Sequence, residues 1–361
     1  MAPSPFLTFH WDKPFRLVSG GVLQSLTLAY ETWGTLNEDR SNAILLFSGL
    51  SASSHAKSHS RNDVPGWWEG MIGAGLALDT DRYFVVCANH LGGCFGSTGP
   101  ASPNPATGEP YGPDFPQVLL QDMVEAVRLM VDDLGIGTLF CVMGASMGGM
   151  MALEYAARFE PKVVKLIMIS GSGRPGALSI AYRFVQRQVI LQDPHFHDGR
   201  YYGSPEQPRA SLAVARMIGN ITYRSGEEFN RRFGRSRTDR GYNFGPDFQI
   251  ESYLHHMGHK LSYHFDANSF LVLTKAMDLY SLGYGFDHYE KGVRRIRAKC
   301  LIMGVSSDML FPIEEQESVY RILNEARRPV RFCRLESFAG HDAFLVEGDY
   351  FSREISSFLA E

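Results

Sequence analysis

At 361 residues the chain can bury a large core, either as one α/β domain or as a core carrying an insertion. Its 44% hydrophobic and 20% charged residues are those of an ordinary soluble globular protein, and a net charge of −4 gives no basis for binding nucleic acid or an anionic membrane. The five cysteines, Cys87, Cys94, Cys141, Cys300 and Cys333, are scattered and odd in number, which argues for free thiols in a reducing compartment over a disulfide framework.

The chain opens on Met1-Ala2-Pro3-Ser4-Pro5-Phe6, which has no signal-peptide pattern, and no later run reaches the ~18 apolar residues of a membrane span, so a cytoplasmic protein is expected. Phe15 to Val18, Gly20-Gly21 and Leu23 to Glu31 read as a β-hairpin. Ala43 to Phe47, Tyr83 to Cys87, Leu139 to Met143 and Leu166 to Ile169 are near-continuous apolar runs of the buried-strand type. Phe115 to Gly135 predicts a helix, with Pro116 in its first turn, Val118, Met123, Val127 and Met130 at helical spacing, and Gly135 as its stop. After Arg174-Pro175-Gly176 the character changes: residues 177–293 carry helical patterns and no convincing buried strand. Strand patterns resume at Cys300 to Met303 and Val330 to Leu335, and an amphipathic helix from Tyr350 to Leu359 closes the chain. The pattern predicts an α/β fold with a mostly parallel sheet, a discontinuous core of residues 1–176 and 294–361, and an inserted helical lid over 177–293.

One motif supplies the chemistry. Gly144-Ala145-Ser146-Met147-Gly148 follows the strand-like Leu139 to Met143 and precedes the helix-like Met150 to Arg158. A G-x-S-x-G at a strand-to-helix junction is the nucleophile elbow of the α/β-hydrolase fold: small residues permit the tight turn that exposes the serine hydroxyl above the sheet. A serine hydroxyl needs a base, and the base an orienting acid, which in this fold follow in the order acid then histidine. Asp308 lies just past the strand Cys300 to Met303, and His341 in the loop after Val330 to Leu335, so these complete the expected triad. The oxyanion hole is assigned to the amides of Met147 and of Leu50, the latter in the loop Ser48-Gly49-Leu50-Ser51. The pair His255 and His259 lacks a metal-site context, and no metal is expected. The basic stretch Arg231 to Arg237 reads as a solvated face, with contact to coenzyme phosphates as the alternative.

Further segments carry a resemblance. Tyr30-Glu31-Thr32-Trp33-Gly34, Pro65-Gly66-Trp67-Trp68-Glu69-Gly70, Gly96-Ser97-Thr98-Gly99-Pro100, Ala215-Arg216-Met217-Ile218-Gly219 and Gly340-His341-Asp342-Ala343-Phe344, with the serine motif, make the chain similar to the homoserine O-acetyltransferase family, including its serine and homoserine succinyltransferase branches. The resemblance implies an α/β-hydrolase core with a helical lid, a homodimer packed through lid helices, and a ping-pong reaction. In that reaction an acyl-CoA, as co-substrate and not as a tightly bound cofactor, acylates Ser146, and an amino-acid hydroxyl takes the acyl group. By position, Arg216, Tyr223 and Asp342 would hold the amino acid's carboxylate and ammonium. Phe47-Ser48-Gly49-Leu50-Ser51-Ala52 departs from the acetyltransferase pattern Cys-His-Ala-Leu-Ser/Thr-Gly, and with Thr222-Tyr223-Arg224-Ser225 looks more like the succinyltransferase branch. Phe95 stands where relatives often carry Lys or Arg. The expected activity is therefore O-acyl transfer, acetyl or succinyl, to homoserine or serine; the alternative is a carboxylesterase that hydrolyses short esters with the same triad.

Overall fold

The computed structural model describes residues 5–238 and 245–361. Its strands, in chain order, are β1 (Leu7–Trp11), β2 (Phe15–Arg16), β3 (Val22–Leu23), β4 (Leu26–Trp33), β5 (Ala43–Phe47), β6 (Phe84–Ala88), β7 (Leu139–Ala145), β8 (Val163–Ile169), β9 (Lys299–Val305) and β10 (Val330–Leu335). Eight of them form one sheet in the order β1-β4-β6-β5-β7-β8-β9-β10. The six from β6 to β10 pair in parallel, while β4 runs antiparallel to β6 and β1 antiparallel to β4.

Successive side chains of a strand point to opposite faces, so apolar runs must be covered on both sides. The core divides accordingly. Leu45 and Phe47 of β5, Val142 of β7 and Leu166 and Met168 of β8 belong to one apolar cluster, together with α1 (Leu120–Asp133) and α2 (Met147–Arg158). The alternate residues Ile44, Leu46, Cys141, Met143, Ile167 and Ile169 belong to a second cluster, with Trp68, Met71, Ile72 and Leu78 and the C-terminal helix.

The first hairpin differs from the sequence reading. Phe15–Arg16 pairs with Val22–Leu23, whereas Leu26–Trp33 leaves the hairpin and enters the main sheet beside β1. The helix predicted from Phe115 begins only at Leu120. Phe115 precedes Pro116 and is extended (ψ 124°), as a proline imposes on its predecessor. The Asp122 carboxylate then accepts the amides of Leu119 (2.7 Å) and Val18 (2.8 Å), which fixes the helix start. Gly135, at φ +71°, follows the helix end.

Between β8 and β9 lie α3 (Ala177–Leu191), α4 (Arg209–Tyr223), α5 (Gly226–Arg232), α6 (Gln249–Ser262), α7 (Ala267–Leu279) and α8 (Tyr289–Arg295). Helix α4 packs against α3 and α6, and α3 against α7. The Tyr280 hydroxyl donates to the Met150 carbonyl (3.1 Å), tying the end of α7 to α2 beneath the elbow. Three helices follow: α9 (Ile313–Glu325), α10 (Ala343–Val346) and α11 (Gly348–Ala360). All five cysteines are free thiols, three of them buried. No helix of the described residues is long and apolar enough to cross a membrane.

The junction of β7 and α2 leaves no room for side chains. A Cβ on Gly148 would lie 2.1 Å from the Phe47 carbonyl oxygen, and one on Gly144 would lie 2.3 Å from the carbonyl oxygen of Gly148. Both clashes are with backbone, which cannot swing aside. Gly148→Ala is therefore expected to cost about 3 kcal/mol or more, the upper end for overpacking, and to lower the melting temperature by several degrees in differential scanning calorimetry.

Candidate active site

Ser146 sits between β7 and α2 at φ +59°, ψ −126°, a conformation that a residue with a side chain adopts only under constraint. The constraint is visible. The Ser146 amide donates to the Ile169 carbonyl of β8 (2.9 Å), and the Ser146 carbonyl accepts from Gly149 (2.9 Å) and Met150 (3.2 Å) at the start of α2. His341 follows β10, directly after Gly340 at φ +73°. Its Nε2 lies 2.9 Å from Ser146 Oγ, and its Nδ1 lies 2.7 Å from Asp308 Oδ2. The other oxygen of Asp308 accepts the amides of Leu310 and Phe311, each at 2.9 Å, so one carboxylate fixes both the imidazole and its own loop. Nδ1–H donating to Asp308 leaves Nε2 as the acceptor for the serine proton, the arrangement a general base needs.

All three side chains are buried, and the rings of Phe311, Phe344 and Tyr223 stand 5.4, 5.8 and 6.0 Å from the imidazole. Burial pulls the His341 pKa down, but the charge and hydrogen bond of Asp308, helped by the charge of Asp342, outweigh it and leave the pKa above the ordinary 6.5. Arg183 acts in the opposite direction.

The loop after β5 passes close to the serine: a Cβ on Gly49 would lie 4.0 Å from Ser146 Cβ. Among the described residues the amides of Leu50 and Met147 have no acceptor, as the oxyanion assignment requires. Two residues that the sequence did not single out as site groups hold this loop. Ser48 Oγ donates to the Ala52 carbonyl (3.2 Å), and His90 Nε2 lies 3.1 Å from Ser48 Oγ and 3.2 Å from the Gly49 carbonyl. Burial pushes the His90 pKa down to about 4 against the pull of that carbonyl, so the ring is neutral and spends its one N–H here. Its position just after β6, on the carboxyl-end side of the sheet, was the available signal.

Arg216, Tyr223 and Asp342 line the same cavity as Ser146, Leu50 and His341, a space of about 790 Å³ including its open mouth. Arg216 Nη1 lies 3.2 Å from Ser51 Oγ and 3.4 Å from the Tyr223 hydroxyl, and its Nε has no partner among the described residues. Asp342 is already engaged by Arg224 (3.2 Å), which also pairs with Glu228 (2.7 Å). Phe95, in place of a basic residue, packs edge-on against Phe265 at 5.6 Å. From α3, Tyr182, Arg183 and Gln186 also line the cavity; Arg183 and Gln186 are buried, and only their helical spacing hinted that they share a face.

Outside the cavity, Glu31, His55 and His59 place three potential metal-ligand atoms together. Their hydrogen bonding is complete without an ion. His55 Nδ1 meets Glu31 Oε2 (2.7 Å) and Nε2 meets the Val64 carbonyl (2.6 Å), two acceptors that call for an imidazolium. Burial opposes that charge, but the bonds to Glu31 and Val64 raise the His55 pKa overall. His59 Nε2 donates to Glu31 Oε2 (2.6 Å), and its Nδ1 accepts the Arg61 amide (3.2 Å). His255 and His259 lie exposed on α6, their rings 4.5 Å apart.

The chain matches the family model of the alpha/beta hydrolase fold over residues 42–348. A homoserine O-acetyltransferase of Deferribacter desulfuricans is 43% identical over 365 residues, covering 100% of this chain and 96% of that one. A serine O-succinyltransferase of Frateuria aurantia is 44% identical over 354 residues, 96% of each chain. The crystal structure of esterase E22 superposes with a TM-score of 0.90 at 28% identity, covering 98% of this chain and 99% of that one. The elbow, the sheet order and these matches make the chain an α/β-hydrolase-fold protein. Within that fold it belongs to the homoserine O-acetyltransferase family, and it is an acyltransferase enzyme.

Ser146→Ala is expected to lower turnover of any acyl substrate by three orders of magnitude or more with the melting temperature little changed, measured by steady-state kinetics beside calorimetry. The base works only when neutral, and a raised pKa keeps it protonated to higher pH. The acid limb of kcat/KM should therefore have its midpoint above the ~6.5 of an ordinary imidazole, and Asp308→Asn, which removes the cause of the rise, should abolish most of the activity.

Proposed function

We propose that the protein transfers the acyl group of an acyl-CoA to the side-chain hydroxyl of homoserine or serine through a Ser146 acyl-enzyme. Ser146 Oγ attacks the thioester carbonyl while His341 Nε2 takes its proton. The oxyanion is held by the Leu50 and Met147 amides, and collapse of the tetrahedral adduct expels the CoA thiolate, which collects the proton from His341. The amino acid then enters, its hydroxyl gives a proton to His341 and attacks the acyl-enzyme, and that proton returns to Ser146 as the ester leaves. CoA is a co-substrate in this scheme, and no step uses a metal ion.

The observation that carries the reading is a half-buried guanidinium, Arg216, in the same cavity as the nucleophile, with donor capacity left over. An amino-acid acceptor brings an α-carboxylate that suits a fixed cation there. Tyr223 supports Arg216 from below, its ring centre 5.0 Å from the guanidinium carbon. Asp342 contributes as the acidic member of its pair with Arg224 and takes the ammonium beside the catalytic histidine. The curated relatives named for homoserine and serine acylation support the acceptor class. The likeness to esterase E22 supports the second reading, in which water resolves the acyl-enzyme.

The same reading assigns residues 1–176 and 294–361 to the core and 177–293 to a lid. The exposed apolar residues Leu178, Phe184 and Val185 of α3 and Val214 and Ile221 of α4 suit a homodimer packed through lid helices, in a cytoplasmic enzyme. Arg216→Ala should reduce CoA release driven by homoserine or serine by about 30-fold or more, the cost of losing a charge-assisted bond in a partly buried site, while hydrolysis of p-nitrophenyl acetate falls far less. Equal losses in both assays would make Arg216 a structural residue.

A further inference from the structure

The loop after β5 is closed by a circuit of hydrogen bonds around one turn. Ser48 Oγ donates to the Ala52 carbonyl (3.2 Å), and the Ala52 amide donates back to the Gly49 carbonyl (3.2 Å). His90 Nε2 completes the circuit, 3.2 Å from the Gly49 carbonyl and 3.1 Å from Ser48 Oγ. The partners decide the tautomer. The Ser48 proton is spent on Ala52 and a carbonyl has none, so both neighbours of Nε2 are acceptors and Nε2 carries the hydrogen. One N–H is then shared between two acceptors, a three-centre bond. His90 follows β6 by two residues and is 5% exposed, and Ser48 is fully buried, so the brace is anchored on the main sheet and shielded from water. The acetyltransferase pattern has a histidine at position 48. Here serine stands there and the imidazole comes from the end of β6, so the Ser48–His90 pair is a feature of this chain.

The Gly49 carbonyl and the Leu50 N–H belong to one peptide unit. A trans peptide is planar, with its C=O and N–H pointing in opposite directions, so fixing the oxygen fixes the hydrogen. His90 and Ala52 draw the oxygen to one side, which leaves the Leu50 hydrogen facing the other. The Leu50 amide has no acceptor of its own among the described residues, so its direction is set through that carbonyl. Gly49 has no side chain to oppose rotation of the peptide, which leaves the restraint to the two donors on its oxygen. Gly49 and Leu50 both line the cavity beside Ser146.

We propose that His90 is a positioning residue for the chemistry at Ser146: its Nε2–H holds the Gly49 carbonyl so that the Leu50 amide of the same peptide is aimed at the oxyanion. This role depends on the Leu50 assignment above, and it is the same whether an amino acid or water takes the acyl group.

p-Nitrophenyl acetate and its thiono analogue, with C=S in place of C=O, separate aiming of the donor from support of the fold. Sulfur accepts hydrogen bonds weakly, so the thionoester gains little from the oxyanion donors. The readout is the ester-to-thionoester ratio of kcat/KM, with melting temperatures alongside, for the wild type, His90→Leu, His90→Asn and His90→Gln. Leucine fills the space without a donor, the asparagine amide nitrogen stops at the place of Nδ1, and that of glutamine reaches the place of Nε2. Outright loss of an oxyanion donor costs about 10²–10³ in rate, and a misaimed one should cost about 10-fold or more. His90→Leu and His90→Asn should therefore lower kcat/KM for the ester by about 10-fold or more and lower the ratio by about as much, while His90→Gln stays within about threefold of the wild type. Where His90→Leu does not fold, the asparagine and glutamine variants carry the comparison. An unchanged ratio in His90→Asn, or equal losses in His90→Asn and His90→Gln, overturns the role of His90. The expected ester pattern in an enzyme that releases no CoA from an acyl-CoA with L-homoserine or L-serine upholds His90 and overturns CoA-dependent transfer instead.

Discussion

The site depends on a backbone conformation that local preference opposes. Ser146 lies at positive φ with a side chain attached, and it stays there because β8 accepts its amide and the first turn of α2 donates to its carbonyl. Every other feature is referred to that point. The free amides of Leu50 and Met147, the imidazole and the cavity floor are useful only at the height above the sheet where the turn places the hydroxyl. The strain is borne by the two packed apolar layers on either face of the sheet, which keep β7 and β8 in register.

Charge is distributed around this point unevenly. The inner layer has one acid for one base: Asp308 faces His341 and raises its pKa despite complete burial. The outer layer is less evenly paired. Arg224 is shared between Asp342 and Glu228, while Arg216 and Arg183 retain donors that no described residue satisfies. A polar interior left open in this way costs stability, and an anionic substrate would return it as binding energy. The contrast is between the Ser146, His341 and Asp308 side chains, which are fully paired, and the two cavity guanidinia, which are not.

Much of this was legible in the sequence because its causes are local. Ser146 announced itself by flanking glycines, and the close approach of backbone at Gly144 and Gly148 explains why those positions carry no side chain. Asp308 and His341 were legible from order and from the strands that precede them. The buried strands were legible as apolar runs, but β1 was not: at the sheet edge only Phe9 of Leu7–Trp11 is buried, so its pattern is short. The ion pair of Asp342 with Arg224 and the half-satisfied Arg183 were illegible for another reason. Each depends on which distant charge folding brings alongside, and helical spacing on α3 cannot tell an inward arginine from a solvated one. His90 lies between the two cases: its place just after β6 put it at the carboxyl ends of the strands, but nothing local shows that it braces the loop after β5.

The division of the sheet's side chains between two apolar layers has a consequence for how such a chain can change. Adding or removing one residue within β7 or β8 would exchange the two faces, sending Val142 where Met143 packs and shifting the serine off its turn. The connections at the carboxyl ends of the strands carry no such parity. The long excursion after β8, from which Arg183 and Arg216 reach the cavity, can lengthen, shorten or exchange side chains while the elbow remains fixed. Chemistry and recognition are thereby written in parts of the chain with different tolerance for insertion, so descendants of this fold can acquire new substrates without rebuilding the nucleophile.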